Sequence, residues 1–229
     1  MGRLAIIPAR GGSKRIPRKN VRPFLGKPII GYSIQVALES RLFDKVVVST
    51  DDLEIAEVAK SFGAEVPFMR SAINSNDFAT TVDVLREVHN YYGSIYNEAC
   101  CIYATAPFVT VKLLTEAMHK LDAGNWVSVF PILQFGYPIQ RALKFSVNDE
   151  LDMFYPSFKA TRSQDLEAAF HDAGMFYCYR PDEMLSQGTM YASPSTGIVI
   201  SEMNAHDIDN ESDWALAEMK YKYTNNNIE

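Results

Sequence analysis

The sequence predicts an α/β fold for its 229 residues: a mostly parallel sheet with helices on both faces and an inserted β-rich arm. Short apolar runs, typical of strands buried on both faces, alternate with segments of helical periodicity. Such alternation is characteristic of parallel strands joined by crossover helices. The alternation stops after Pro131, where prolines and a turn signal indicate an excursion from the sheet.

The first half of the chain carries the alternating pattern. Its predicted strands are residues 4–8, 45–49, 65–69, 100–103 and 126–130. Proline, aspartate, threonine and glycine mark the ends of the intervening helices. These helices are predicted at 28–40, from Asp51 or Asp52 to Gly63, near 80–92 with Asp77 as its cap, and from Thr110 to just before Gly124.

The second half contains the predicted arm. A hairpin turn at Asn148-Asp149 joins strand-like residues 142–147 and 151–155, so that residues 135–160 form a lid or dimerisation arm. The chain then returns with strands at 175–179 and 198–201, a short helix at 181–186, a last helix capped by Asn210 or Ser212 that ends near 223, and a frayed tail from 225. We therefore expect one domain, 1–229, with an inserted arm.

Composition excludes several classes of protein. The chain is 47% hydrophobic and 22% charged, which excludes disorder and low-complexity classes. No apolar run reaches the ~18 residues of a membrane span, and the short amino-terminal run lacks the pattern of a secretory signal. Cys100, Cys101 and Cys178 lack CxxC spacing, so buried free thiols are predicted rather than a zinc site or disulfide. A cytoplasmic protein without a membrane partner is expected.

Positive charge is concentrated at the amino terminus. The net charge is −6, yet the first 38 residues hold eight of the 22 basic residues and no acid. A solvated basic face is the ordinary interpretation of such a run. Here, however, the charges surround Gly11, Gly12 and Ser13 directly after the first strand. An overall pI near 5.3 argues against nucleic acid, so a small polyanionic ligand is predicted.

The loop from Ala9 to Asn20 is the predicted binding element, because ligands bind beyond the carboxyl ends of strands in open parallel sheets. It matches neither the Walker loop nor the dinucleotide fingerprint, since its glycines are adjacent and no third glycine opens a helix. Adjacent glycines still let backbone amides approach an oxyanion, and Arg10, Lys14 and Lys19 can bring charge to it. We expect this loop to close over a triphosphate.

The segment His206-Asp207-Ile208-Asp209 is the second candidate. If it is extended, both carboxylates face one way and Ile208 faces the core. Two carboxylates in one pocket repel unless a cation lies between them, and oxygen ligands near a polyphosphate suggest Mg²⁺. Alternatively, either acid could cap or complement the following helix.

Other polar groups are weaker candidates. His171 and Asp172 are adjacent, so on a strand they diverge and cannot form a relay. A Cys178 nucleophile served by His171 is disfavoured because Cys178 lies in an apolar run. Arg141 and Arg162 sit in polar clusters of the irregular region; they are either solvated loop residues or ligands of a substrate carboxylate.

Several motifs resemble one known family. IIPARGGSKRIPRKN at 6–20, VVVSTDD at 46–52 and HDID at 206–209 are similar to the CMP-sialic acid synthetase group of cytidylyltransferases, which activate nine-carbon acidic sugars. Within that group, CCIYATAPF at 100–108, PIQRAL at 138–143 and TRSQDLEAAFHDAGMFY at 161–177 resemble the branch that acts on pseudaminic acid. Residues 103–107 and 171–174 depart from the Gln-Pro-Thr-Ser-Pro and Arg-Pro-Asn-Gly stretches of the sialic acid branch, which points away from neuraminic acid.

The resemblance implies a Rossmann-like nucleotidyltransferase, with Mg²⁺ as cofactor, CTP and a nine-carbon acidic sugar as substrates, and a homodimer formed through the arm. It also implies residue roles. Catalysis would fall to Arg10, Lys19, Asp207 and Asp209, the two aspartates also holding the metal. Nucleotide binding would fall to Ala9, Arg10, Gly11, Gly12, Ser13, Lys14, Lys19, Asn20, Arg70, Thr80 and Thr81. Sugar binding would fall to Tyr103, Gln140, Arg141, Arg162, Gln164, His171 and Asp172.

The reaction expected from this resemblance is attack of the sugar's anomeric hydroxyl on the α-phosphorus of CTP, with loss of pyrophosphate. Two alternatives remain at this point. A sister enzyme acting on legionaminic or neuraminic acid would share the nucleotide residues and differ in the sugar pocket. A non-catalytic nucleotide-binding regulator would bind CTP and release no pyrophosphate.

Overall fold

The computed structural model describes residues 2–226. Within that range lie eleven strands and six α-helices. The strands are β1 (Gly2–Pro8), β2 (Pro23–Phe24), β3 (Lys27–Pro28), β4 (Lys45–Ser49), β5 (Tyr96–Ile102), β6 (Ser128–Gln134), β7 (Leu143–Phe145), β8 (Leu151–Met153), β9 (Phe170–Asp172), β10 (Phe176–Tyr179) and β11 (Ser195–Val199). The helices are α1 (Ile29–Ser40), α2 (Leu53–Ser61), α3 (Thr81–Tyr92), α4 (Val111–Ala123), α5 (Pro181–Gln187) and α6 (Glu211–Asn226).

The central sheet has seven strands, with the order β11-β6-β10-β5-β1-β4 and with β9 paired to β6. Strand β1 lies parallel to β4 and β5, and β11 lies parallel to β6. Strand β10 is inserted between β5 and β6 and runs antiparallel to both, while β9 runs antiparallel to β6. The predicted mostly parallel α/β fold is confirmed. The carboxyl ends of the parallel strands β1, β4 and β5 lie along the same edge of the sheet.

Helices cover both faces of this sheet. Successive residues of β1 point to opposite sides, so Ile7 packs in one apolar cluster and Ile6 in the other. The first cluster also receives buried residues of α1, α2, α4 and α6, and the second receives those of α3 and α5. The near-continuous apolar strands predicted from the sequence are therefore explained by burial on both sides.

Two local predictions were wrong. Residues 65–69 form two isolated bridges, Val47 with Glu65 and Thr50 with Met69, instead of a strand. Pro67 lies between them and lacks the amide that a ladder needs. Helix α3 is capped by Thr80, in a capping box with Asp83, and not by Asp77.

The ends of several elements also differ from the prediction. Strand β6 begins at residue 128 and extends to residue 134, beyond the predicted 126–130, and β11 begins at residue 195 instead of 198. Asn210 accepts a hydrogen bond from the Asp213 amide at 3.0 Å, which agrees with its predicted capping of α6. That helix continues to residue 226, past the predicted end near 223, and the remainder of the predicted tail, 227–229, lies outside the described residues.

The hairpin predicted in the arm is present as β7 paired antiparallel with β8. Asp149 at its turn has a φ of 62°, in the left-handed backbone region that tight hairpin turns require. Many apolar side chains of this segment lie in solvent; the most exposed are Tyr137, Phe145, Val147 and Leu151. Exposed apolar clusters of this kind are typical of surfaces that bind a protein, a membrane or a ligand.

Two further predictions concern the state of the cysteines and membrane-spanning helices. Cys100, Cys101 and Cys178 are free and buried, as predicted. No helix among the described residues combines the length and apolarity needed to cross a bilayer.

The buried His89 provides a test of the packing under α3. Its Nε2 lies 2.9 Å from the Tyr179 hydroxyl, and burial lowers its pKa to about 4. Below the unfolded pKa of ~6.5 the unfolded chain therefore binds a proton that the native state does not bind. The free energy of unfolding consequently decreases as the pH is lowered. We expect the free energy of unfolding to lose roughly 2 kcal/mol from this group between pH 7.5 and pH 5.

Urea unfolding at the two pH values measures this effect. His89→Gln is expected to remove that part of the pH dependence, while His119→Gln, at an exposed position on α4, is expected to keep it. An equal pH dependence in wild type and His89→Gln would contradict the assignment.

Candidate active site

A cleft of ≈ 390 Å³ lies beyond the carboxyl ends of β1 and β5. Its walls come from the loop after β1, from the segment around α3 and from the segment before α6. It brings together most of the predicted groups: Arg10, Ser13, Lys14, Lys19, Asn20, Arg70, Thr80, Thr81, Tyr103, Asp207 and Asp209. The basic loop and the aspartate pair, 187 or more positions apart in sequence, thus face one cavity.

Backbone contacts hold the loop after β1 in place. The Ala9 amide donates to the Ser49 carbonyl at 2.9 Å, and the buried Asn20 side chain donates to the Arg10 carbonyl at 2.9 Å. The Gly11 amide donates to Asp51 Oδ1 at 2.9 Å. A Cβ on Gly11 would lie 2.7 Å from Asp52 Oδ2, so only glycine fits. Ala9 and Gly11 therefore shape the loop without lining the cavity, whereas Asn20 both holds the loop and lines the cavity.

Asp52 ties this loop to the second helix. It caps α2 by accepting from the Ile55 amide at 3.0 Å, and it pairs with Arg18, which has a left-handed φ of 57°. The Arg18 hydrogen bond lowers the pKa of Asp52 to about 2. The carboxylate is therefore charged throughout the neutral range and fixes the end of the basic loop.

The loop cations divide into two groups. Arg10 and Lys14 both pair with Asp77, the first at 3.0 Å, and all three side chains are substantially exposed. Arg15 pairs with Asp209 at 2.7 Å. Lys19 is more buried, donates to the Ile208 carbonyl at 2.7 Å and lies 3.8 Å from Asp209. Burial lowers the pKa of Lys19, against the opposing effect of Asp209.

The aspartate segment has the predicted geometry. Ile208 is 0% exposed, while Asp207 and Asp209 face the cleft. The capping alternative is not supported, because Asn210 caps α6 and Asp213 accepts the Asp209 and Asn210 amides at 2.9 and 3.0 Å. Burial and the neighbouring Asp209 charge raise the pKa of Asp207. Within residues 2–226 only burial and neighbouring charges, and no hydrogen bond, act on the Asp207 carboxylate, which leaves its oxygens available to a cation.

The opposite wall carries Arg70 and the start of α3. Arg70 is 7% exposed and donates through Nε to the Ser49 hydroxyl at 3.0 Å, with a second bond to the Ser49 carbonyl. Thr80 is engaged in the helix cap, and Thr81 follows it as the first residue of α3. This wall therefore adds a buried guanidinium and two threonine hydroxyls to the cleft.

A second cavity of ≈ 630 Å³ shares Asp207 with the first. His171 and Asp172, predicted as sugar residues, line it, as do Gln134, His206 and Lys220. Tyr103, also predicted for the sugar, lines the first cavity instead. The other predicted sugar residues line neither of the two cavities in the part of the chain that is described; they are Gln140, Arg141, Arg162 and Gln164.

Sequence reasoning missed several residues of these cavities. Arg15 belongs to the basic loop and its charge run was a usable signal. Asp77 was assigned to helix capping, and only the fold places it opposite Arg10. Lys220 lies on α6 and reaches the second cavity while donating to the Glu202 and Ala205 carbonyls at 3.0 and 3.2 Å. Nothing in the local sequence marks it.

The carboxylates of the cleft can supply some, but not all, of the ligands of a metal ion. Over the described residues, no group of three or more His, Cys, Asp or Glu side chains is arranged to hold a metal ion. The cleft offers two carboxylates, and Mg²⁺ commonly takes one or two carboxylates together with water and substrate phosphates. The residues present therefore fit a cation that arrives with a polyphosphate.

Comparisons with known proteins agree with this geometry. The family model described as "Cytidylyltransferase" matches residues 4–193. The chain is 43% identical over 225 residues to a pseudaminic acid cytidylyltransferase of Campylobacter jejuni, covering 97% of each chain. It is 33% identical over 227 residues to the CMP-N,N'-diacetyllegionaminic acid synthase of Legionella pneumophila, covering 94% of each. A solved CMP:2-keto-3-deoxy-manno-octonic acid synthetase complexed with CTP shares the fold, with a TM-score of 0.69 and 16% identity over 99% of this chain and 100% of that one.

Proposed function

The chain belongs to the cytidylyltransferase family, and from that membership we propose that it transfers the cytidylyl group of CTP to pseudaminic acid, giving CMP-pseudaminic acid and diphosphate. The observation that carries the proposal is the shared cleft, in which the loop cations face Asp207 and Asp209. The relatives named pseudaminic acid cytidylyltransferase, at 42 and 43% identity over 97% of the chain, support the choice of sugar.

The basic loop binds the triphosphate in this proposal. Arg10 and Lys14 neutralise phosphate oxygens and Lys19 stands at the junction with the aspartates. The anomeric hydroxyl of the sugar attacks the α-phosphorus and a new P–O bond forms. The bond between the α-phosphorus and the bridging oxygen breaks as diphosphate leaves, and the hydroxyl proton is released to solvent. Nucleotidyl transfer depends on alignment and charge stabilisation, so a covalent enzyme intermediate is not required.

Mg²⁺ is the proposed cofactor, held by Asp207 and Asp209. When bound, it would neutralise phosphate charge and lower the pKa of the attacking hydroxyl. The half-buried Asp207 lies between the two cavities, so its carboxylate faces both the nucleotide and the proposed sugar position. Lys19 keeps its ammonium beside the segment that carries both aspartates and holds that segment against the loop.

The second cavity is the proposed sugar site. Lys220 supplies a cation for the sugar carboxylate, and His171 lines the same wall. The assignment of Gln140, Arg141, Arg162 and Gln164 to the sugar remains a proposal. It requires these residues to reach the site of a second copy of the chain. The exposed apolar side chains of the arm, among them Tyr137, Phe145 and Val147, support a homodimer built on that segment. Free cysteines support a cytoplasmic setting.

A complementation experiment tests the dimer. Arg162→Ala removes a predicted sugar residue just beyond the arm and Asp209→Ala removes a cleft residue, so each homodimer is expected to be inactive. Co-expression of both chains is expected to restore about a quarter of wild-type activity, because about half of randomly formed dimers are hybrids with one intact site. No recovery in isolated hybrids, together with a monomer in sedimentation, would contradict the arm proposal.

A pyrophosphate-release assay with CTP tests the function. We expect turnover with pseudaminic acid and much slower turnover with legionaminic and N-acetylneuraminic acids. A preference for legionaminic acid would overturn the assignment of pseudaminic acid as substrate, but it would leave the cytidylyltransferase activity in place. CTP binding without pyrophosphate release for any of these sugars would favour a non-catalytic regulator.

A further inference from the structure

One carboxylate of the cleft lies on the cations that the proposed function assigns to the triphosphate. Asp77 Oδ1 accepts from Arg10 Nη1 at 3.0 Å, and Asp77 Oδ2 accepts from the ammonium of Lys14. Arg10 also donates to the Asn76 carbonyl at 3.4 Å. These residues all line the same cavity. Because Arg10 and Lys14 follow β1 and Asp77 precedes α3, the contacts connect two walls of the cleft.

The local fold does not account for this carboxylate. The side chain of Asn76 closes the turn, since its Oδ1 accepts from the amides two and three residues further on, at 2.7 and 3.0 Å. The cap of α3 is supplied by Thr80. Within residues 2–226, only the two loop cations donate to the carboxylate of Asp77. Its contacts therefore act on the binding loop and not on its own segment.

The arrangement of these contacts resembles the way a phosphate group is held. Each oxygen of Asp77 takes one cation, as two oxygens of one phosphate would. Arg10 and Lys14 both have further donors. A phosphate that used those donors would, however, lie beside the Asp77 carboxylate, and like charges that share a site repel each other. Asp77 and a phosphate therefore compete for the same two cations.

The ion pairs are also easily exchanged. The side chains of Arg10, Asp77 and Lys14 are 39, 46 and 76% exposed. Ion pairs between exposed side chains are weak and are screened by salt. Hydrogen bonding to Lys14 lowers the pKa of Asp77, so the carboxylate is charged at neutral pH. A polyphosphate, which carries more charge, can displace this carboxylate, and the carboxylate can return when the polyphosphate leaves.

We propose that Asp77 is a positioning residue that acts through Arg10 and Lys14, competing with phosphate for these cations and so favouring release of the diphosphate product. The inference rests on the proposed use of CTP. Tighter binding of phosphates in the ground state alone does not raise kcat, so a competitor that weakens it does not slow the chemical step. Its effect is to limit the retention of diphosphate after the reaction.

Asp77→Asn tests the proposal, because asparagine keeps the shape of the side chain and removes its charge. Calorimetric dissociation constants would be measured for inorganic diphosphate and for CTP, without magnesium. We expect both ligands to bind about three- to tenfold more tightly to the variant, and this gain to shrink at high ionic strength. In the forward reaction, diphosphate should become a stronger product inhibitor by a similar factor, without a rise in kcat.

Two further variants separate competition from a structural effect. Asp77→Glu keeps the charge and is expected to bind diphosphate within about twofold of wild type. In a Lys14→Met background, one of the two ion pairs is already absent. Asp77→Asn should therefore bring a smaller gain in that background than in the wild-type chain.

Glu54→Gln is the matched control. It removes the same charge from an acid that pairs with Arg18 of the same loop, and neither Glu54 nor Arg18 lines the cavity. Its diphosphate affinity should stay within about twofold of wild type. Unchanged or weaker diphosphate binding in Asp77→Asn, or an equal gain in Glu54→Gln, would overturn the inference. Failure of the wild-type chain to bind CTP and diphosphate would instead count against the proposed function.

Discussion

Replacing Asp209 by alanine is expected to leave the fold intact and to slow CMP-sugar formation by roughly two to three orders of magnitude. The carboxylate is 40% exposed and its pair with Arg15 is a surface contact, so the free energy of unfolding should change by less than about 1 kcal/mol. In the cleft, however, Asp209 is one of two carboxylates proposed to hold the cation. Its loss removes charge stabilisation at the reacting phosphate.

Pyrophosphate release at saturating CTP and ordinary Mg²⁺ concentration measures the effect. Glu211→Gln is a suitable control, because it removes the same charge two residues away, where Glu211 pairs with Arg22 outside the cleft. That variant should keep near wild-type turnover. Near wild-type turnover in Asp209→Ala would disprove the metal role.

Lys19→Met is expected to have an effect of similar size. The Lys19 side chain is 20% exposed, and a charge contact at 4 Å is worth ~4 kcal/mol at an effective dielectric near 20. Loss of that charge should lower kcat by roughly two to three orders of magnitude, because we propose that Lys19 stabilises the departing diphosphate more than bound CTP. Methionine keeps most of the aliphatic length, which limits damage to packing.

Separate measurement of kcat and of the CTP dissociation constant checks this assignment. Lys60→Met, at an exposed site on α2 where the lysine pairs with Glu57, provides the charge-matched control. A loss confined to CTP affinity, with kcat unchanged, would mean that Lys19 binds the ground state only.

Local signals in the sequence were sufficient for the fold class and for the two halves of the site. The loop at 9–20 and the pair Asp207 and Asp209 are each recognisable from a few adjacent residues. Their convergence follows from the rule that parallel strands end at one edge of the sheet. The structure agrees with both inferences.

The remaining features depend on pairings between distant segments. The antiparallel insertion of β10 between β5 and β6 is decided by which strands meet, and the apolar pattern of residues 175–179 is compatible with either direction. Asp77 resembles a helix cap until the fold brings Arg10 to it. The carboxylate of Asp172 resembles a ligand until Tyr177 and Tyr191 are found on it.

Asp52 has a consequence for engineering. One carboxylate caps the start of α2, pairs with Arg18 and fills the space beside Gly11. The glycine-rich segment is consequently not a portable module: grafting residues 9–20 onto another scaffold would require the acidic helix cap to be transplanted with them. Libraries that vary residues 9–20 together with position 52 should yield few folded clones unless position 52 is kept as aspartate.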